Sequence, residues 1–216
     1  MKRLLSRLMV VSGLILLGTV LIPITFSGIS YGLKPKLLDP TEVSQNPIFI
    51  ASSVLGTSVD YTQASNWFSG TTTSTKISSK IGYYTLSIPA VKMQNISVQI
   101  DGQDLKKNAI QFPNTAPPGT FGNTVIFGHS TLAALYKPGD PISLFVPLLK
   151  VKKGDEITIN YDGVVYRYVV RDTATVAPTK IEVLAQQFDK HELTLITCTP
   201  LGTYWKRFVV RAELVN

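Results

Sequence analysis

The sequence predicts an all-β domain, a closed or nearly closed eight-stranded β-barrel with short helices and loops, preceded by an N-terminal membrane helix and a flexible stem. Three observations carry that prediction. From Tyr83 onward, apolar and polar residues alternate with a period of two in eight short runs. Turn signals separate the runs, most clearly Asp162-Gly163 between two apolar segments, a strong hairpin signature. Upstream, nineteen uncharged residues from Leu8 to Phe26 precede a segment rich in Pro, Ser and Thr.

Taken in order, residues 1–7 form a basic tip carrying Lys2, Arg3 and Arg7. Residues 8–30 are long enough to span a bilayer. A cleavable signal peptide has a shorter apolar region and a small-x-small cleavage site. Leu21 to Phe26 offer no Ala-x-Ala site, though Ser27-Gly28-Ile29-Ser30 leaves cleavage open. The reading is an uncleaved anchor with its basic end in the cytoplasm, which puts the remainder outside a single-pass cell membrane. Residues 31–80 form the stem. They hold Pro35, Pro40 and Pro47 and the Ser/Thr tract from Ser69 to Lys80, which cannot bury enough apolar surface to order itself. Within the stem Asn66-Trp67-Phe68 stands out, since adjacent aromatics in a polar linker dock on something: the outside of the barrel, or the active site as a lid.

Residues 81–216 form the barrel. The runs are Tyr83–Ile88, Ile96–Ile100, Ala109–Phe112, Asn123–Phe127, Glu156–Tyr161, Val164–Asp172, Leu193–Cys198 and Arg207–Val215, with Thr131–Tyr136 and Lys180–Phe188 as short helices or loops. Eight short strands with few helices argue for closure, because a barrel leaves no sheet edge exposed. A hydrophobic content of 44% places the chain among folded proteins. Its net charge of +7 is partly spent in the basic tip, and no basic-aromatic interleaving or zinc spacing accompanies it, which argues against nucleic acid.

The chemistry gathers at the end of the seventh run. Cys198 is the only cysteine, so no internal disulfide is available to it. It closes Leu193-Thr194-Leu195-Ile196-Thr197-Cys198 and is followed by a turn containing Pro200 and Gly202, which puts the thiol where a strand opens into a loop. Antiparallel pairing of the eighth run brings Arg207 beside it. Arg211 shares the parity of Arg207 but lies about 13 Å further along at 3.3 Å per residue, where it pairs with a carboxylate or covers the barrel.

His129, in Phe127-Gly128-His129-Ser130, follows the fourth run, with Gly128 allowing close backbone approach. His191 lies seven positions before Cys198 on the same run, roughly 23 Å away at 3.3 Å per residue, and is excluded. Chemically, a cation near the thiol raises its thiolate fraction, fixed donors meet an oxyanion, and an imidazole gives and takes the amine proton. Cys198, His129 and Arg207 cover nucleophile, acid/base and charge stabiliser.

The run Thr-Leu-Ile-Thr-Cys with Arg nine positions on, together with Gly-His after a strand, resembles the sortases, cysteine transpeptidases of the bacterial cell surface. The resemblance covers about Tyr83 to Glu213. It implies an eight-stranded barrel with His129, Cys198 and Arg207 as the catalytic set. It further implies cleavage of a Leu-Pro-x-Thr-Gly-like sorting signal between Thr and Gly through a thioacyl-enzyme. The partners would be surface proteins bearing that signal and an amine acceptor, a peptidoglycan precursor or pilin lysine. No cofactor is implied. Some members hold calcium, but Asp101, Asp104 and Glu182 are too scattered to claim such a site. Many pilus-building members carry a C-terminal membrane segment, which is not expected here. The rival readings are a cysteine peptidase that hydrolyses its thioester, an L,D-transpeptidase, disfavoured by Ile196-Thr197 before the Cys, and a non-catalytic surface barrel.

Overall fold

The computed structural model describes residues 60–68 and 81–215, together with Ser12. The expected membrane segment and most of the expected stem lie outside these residues. Among the described residues no helix is long and apolar enough to cross a membrane. The chain divides into units Met1–Thr57 and Ser58–Asn216, and the account below concerns the second.

Eight strands close into a barrel: β1 (Tyr83–Ile88), β2 (Met93–Ile100), β3 (Ala109–Gln111), β4 (Gly122–Phe127), β5 (Glu156–Tyr161), β6 (Val164–Val176), β7 (His191–Thr199) and β8 (Lys206–Val215). Their order around the barrel is β1-β2-β3-β4-β7-β8-β6-β5. Every expected strand is present. β6 runs on to Val176 rather than Asp172, because it pairs with β8 along its length, from Arg167 opposite Val215 to Val176 opposite Arg207. The expected hairpin at Asp162-Gly163 joins β5 to β6, with both residues at positive φ. Short 3₁₀ turns at Ala133–Leu135 and Ile181–Leu184 fall in the two segments read as helices or loops.

Two parallel pairings, β2 with β3 and β4 with β7, interrupt an otherwise antiparallel barrel. The second positions the site, because it sets the C-terminal ends of β4 and β7 side by side, with Phe127 opposite Ile196.

The apolar residues form two clusters. The larger takes side chains from all eight strands, among them Leu86, Val98, Ala109, Ile126, Ile159, Tyr168, Leu195 and Val210, and fills the barrel. The smaller takes strand residues from β3, β4, β7 and β8 only: Ala109's neighbour Ile110, then Val125, Phe127, Ile196, Cys198 and Val209. Side chains alternate across a strand, so Ile196 and Cys198 point away from the barrel core that Leu195 faces. This outer cluster is completed by Ala64, Trp67, Phe68 and Leu105. β4 is buried at every position, and β7 at every position from Leu193 to Thr199, as strands covered on both faces must be.

Candidate active site

Cys198 stands directly opposite Arg207 in the β7–β8 register. Directly opposed residues present their side chains on one face, so the expected pairing of thiol and guanidinium is present. The thiol, however, is not at an open loop mouth. It is 1% exposed, because the outward face of β7 lies beneath Trp67 and Phe68. Burial pushes the thiol pKa up to about 11, and the positive charge of Arg207 opposes that rise without cancelling it. The cation acts with the expected sign. Desolvation outweighs it.

Arg207 is fully buried. Its Nε and Nη2 both donate to the Trp67 carbonyl, at 3.1 and 2.7 Å, and Nη1 donates to the carbonyls of Tyr204 at 2.9 Å and Lys206 at 3.3 Å. The guanidinium carbon also lies 5.3, 5.8 and 5.9 Å from the ring centroids of Trp67, Tyr61 and Phe68. A buried cation is costly unless its donors are met. Here a carbonyl of the covering segment meets two of them, a strong interaction because the donor is charged.

The segment 60–68 is held by its own contacts. Asp60 Oδ1 accepts from the backbone N–H and the hydroxyl of Thr62, and Asn66 Nδ2 donates to the Asp60 carbonyl. Backbone bonds from Ala64 to Gln103 and from Leu105 to Thr62 add a short β-bridge beside the barrel. Trp67 stacks on Phe127 at 5.2 Å, Tyr61 stacks on Tyr204 at 4.5 Å, and Trp67 Nε1 donates to the Tyr61 carbonyl at 2.7 Å. Residues read as part of a flexible stem are therefore ordered here. Docking on the outside of the barrel and covering the site are one arrangement.

His129 follows β4. Gly128 precedes it because a Cβ there would sit 2.3 Å from the Phe145 ring, so only glycine admits that packing. His129 is 8% exposed, and its Nδ1 lies 3.1 Å from the Ser130 carbonyl. A carbonyl only accepts, so Nδ1 carries a proton and, in the neutral ring, Nε2 is the free base. Burial lowers the imidazole's pKa below its ordinary 6.5, against a smaller upward pull from the Ser130 carbonyl. At neutral pH the covered site therefore holds a neutral thiol and a neutral imidazole. Thr197 Oγ1 donates to the Gly128 carbonyl at 2.8 Å and Ser130 Oγ to the Cys198 carbonyl at 3.0 Å, tying the end of β4 to the end of β7.

Residues 86–215, which contain His129, Cys198 and Arg207, match the family described as Sortase, Sortase domain. The chain belongs to the sortase family. It is 31% identical over 134 residues to sortase A of Bacillus anthracis, a match covering 61% of this chain and 59% of that protein's own length. Among solved structures it is similar to the Clostridium perfringens sortase D5 transpeptidase, with a TM-score of 0.54 and 27% identity over 65% of this chain and 83% of that one. It is also similar to a lid mutant of sortase A from Corynebacterium diphtheriae, with a TM-score of 0.55 and 31% identity over 65% and 73% of the two chains.

Within this sortase barrel the residues set aside on sequence grounds lie elsewhere. His191 opens β7 opposite Gly122, its Nδ1 3.1 Å from the Gly119 carbonyl and its ring 4.0 Å from that of Phe121. Arg211 is exposed and pairs with Asp172 at 2.9 Å. Asp104 pairs with Lys107 at 3.7 Å and accepts from the Lys106 N–H. Among the described residues no group of three or more His, Cys, Asp or Glu side chains is placed to hold a metal. Sequence reasoning missed Ser130, Tyr61 and the Trp67 carbonyl. The aromatic pair 67–68 was the available signal for the last. Nothing in a sequence marks a backbone oxygen as a guanidinium's partner.

Proposed function

We propose that this chain is a membrane-anchored cysteine transpeptidase. It cleaves a Leu-Pro-x-Thr-Gly-like sorting signal between Thr and Gly and transfers the new carboxyl end to an amine of the cell wall or a pilin. The observation that carries the reading is the opposed pair Cys198 and Arg207, beside the strand end bearing His129, inside a sortase domain.

In the acylation step the Cys198 thiolate attacks the Thr carbonyl carbon. The developing oxyanion is met by Arg207, the Thr–Gly C–N bond breaks, and protonated His129 gives its proton to the departing glycine amine. In the transfer step neutral His129 takes a proton from the incoming amine as its nitrogen attacks the thioester. The C–S bond breaks and Cys198 leaves as the thiolate. Backbone carbonyls take four of the five Arg207 N–H donors, two of them through Trp67, so withdrawal of residues 60–68 frees the guanidinium for the oxyanion and opens the thiol to a peptide. Once they leave, water and Arg207 both favour the thiolate, its pKa falls from about 11, and the thiol proton passes to His129, which gives the thiolate and imidazolium that acylation starts from.

Incubating the purified chain with quenched sorting-signal peptides, with and without an added amine, tests the reading. The expected result is a peptide thioester on Cys198 by mass spectrometry and a transpeptidation product with amine present. An acyl adduct elsewhere overturns the residue assignment. Hydrolysis that an amine never diverts makes the protein a peptidase instead.

A further inference from the structure

The last backbone bond between β4 and β7 runs from Gly128 N–H to the Ile196 carbonyl at 3.1 Å. In a parallel ladder the next carbonyl on β7, that of Cys198, would accept from the N–H two residues further on, which belongs to Ser130. Here it accepts from the Ser130 hydroxyl instead, at 3.0 Å, and Ser130 is buried at 4% exposure. The side chain thus stands in for a ladder rung. The β4 backbone is released to turn away at His129 while Cys198 stays tied. The same residue's carbonyl holds His129 Nδ1 at 3.1 Å. Resting on the catalytic reading of Cys198 and His129, we infer that Ser130 is a positioning residue. Its hydroxyl fixes the backbone of the nucleophile and its carbonyl fixes the ring of the acid/base, so one residue sets the spacing between the two.

Other contacts at this point do not duplicate the role. The Thr197 hydroxyl bonds Gly128, one residue before the imidazole, and the Phe145 N–H bonds the His129 carbonyl, which holds the backbone but not the ring. Ser130→Ala removes the substitute rung and leaves the Cys198 carbonyl without its donor. The loop 128–130 then loosens from β7, and the imidazole, still bonded to the carbonyl of residue 130, moves with it and gains contact with water.

The test compares wild type, Ser130→Ala and Ser130→Thr, which keeps the hydroxyl, by peptide kinetics, thermal melting and NMR titration of His129. Ser130→Ala should lower kcat tenfold or more with KM within about twofold, as expected when reacting groups are misplaced but the substrate still binds. Its His129 titration should move above the wild-type value, because burial is the larger influence on the ring and loosening the loop relieves it, and the limb of the pH–rate profile that reports His129 should follow. Ser130→Thr should restore rate and titration together. A wild-type kcat and titration in Ser130→Ala overturns the proposal. So does a loss of activity that tracks only a lower Tm. If His129→Ala and Cys198→Ala instead prove active, the catalytic reading has failed, and the His129 titration in Ser130→Ala still decides whether Ser130 positions the ring.

Discussion

The β4–β7–β8 sheet carries one histidine and one arginine at the C-terminal end of β7 and a second of each towards the other end, and the two regions treat them in opposite ways. At the N-terminal end of β7, His191 is half-buried against Phe121, and along β8 the exposed Arg211 is neutralised by Asp172. At the C-terminal end, His129 and Arg207 are buried, and Arg207 meets backbone carbonyls and aromatic rings rather than a carboxylate. Residue types are the same. The covering differs, since the outer cluster with Trp67 and Phe68 exists only at one end. A solvated ion pair contributes little and tolerates change, whereas a desolvated cation beside a desolvated thiol is poised for whatever negative charge arrives next.

Four tests, using six substitutions, probe that contrast. The largest effect is expected at the proposed nucleophile: Cys198→Ala should abolish both cleavage and the acyl adduct, with the fold retained by circular dichroism. Next, His129→Ala should cost on the order of 10²–10⁴ in kcat while His191→Ala stays near wild type, as expected for loss of a proton-transfer group. Comparable losses in the two would mean that the ends are not functionally distinct. Third, Arg207→Lys keeps a charge but loses the planar fork, so kcat should fall about 10²-fold or more, whereas Arg211→Lys should be nearly silent. A silent Arg207→Lys beside a crippled Arg211→Lys reverses the assignment. The smallest effect, and the one aimed at the cover itself, is Trp67→Ala. It removes about 3–5 kcal/mol of packing, mostly from the docked segment. Iodoacetamide should then alkylate Cys198 at least tenfold faster, with the pH midpoint of the rate moving down from about 11, because opening removes the desolvation that raised the thiol. An unchanged rate would show that the segment does not limit access.

Strand positions were legible because the barrel's period of two survives in the sequence, and β1 and β5 match their expected limits. The end of β6 was not, since the run was read as stopping at Asp172 and Thr173 to Val176 owe their order to pairing with β8. The Cys198–Arg207 opposition was legible from hairpin geometry, and the place of His129 just past the end of β4 from the run that closes at Phe127. The burial of the thiol was not legible. A strand alternating Leu195, Ile196, Thr197, Cys198 does not say what lies on its outer face, and the covering residues sit about 130 positions upstream in a segment whose composition resembles a tether. The Ser130 link stayed hidden for a related reason, being a contact between two strand ends 68 positions apart.

The parallel register of β4 and β7 joins residues 69 positions apart, as Gly128 and Thr197 illustrate. Closing a loop of that length costs roughly 2 kcal/mol more chain entropy than closing the β7–β8 turn of about seven residues, and long-range parallel pairing is correspondingly slow to form. A growing or partly folded chain can therefore hold the β7–β8 hairpin, thiol opposite guanidinium, well before the imidazole is docked beside it. The order of assembly puts the imidazole last. Reactivity then arrives only with the complete topology, and a folding intermediate carrying the hairpin alone would expose a thiol that can be alkylated but has no means of turning over.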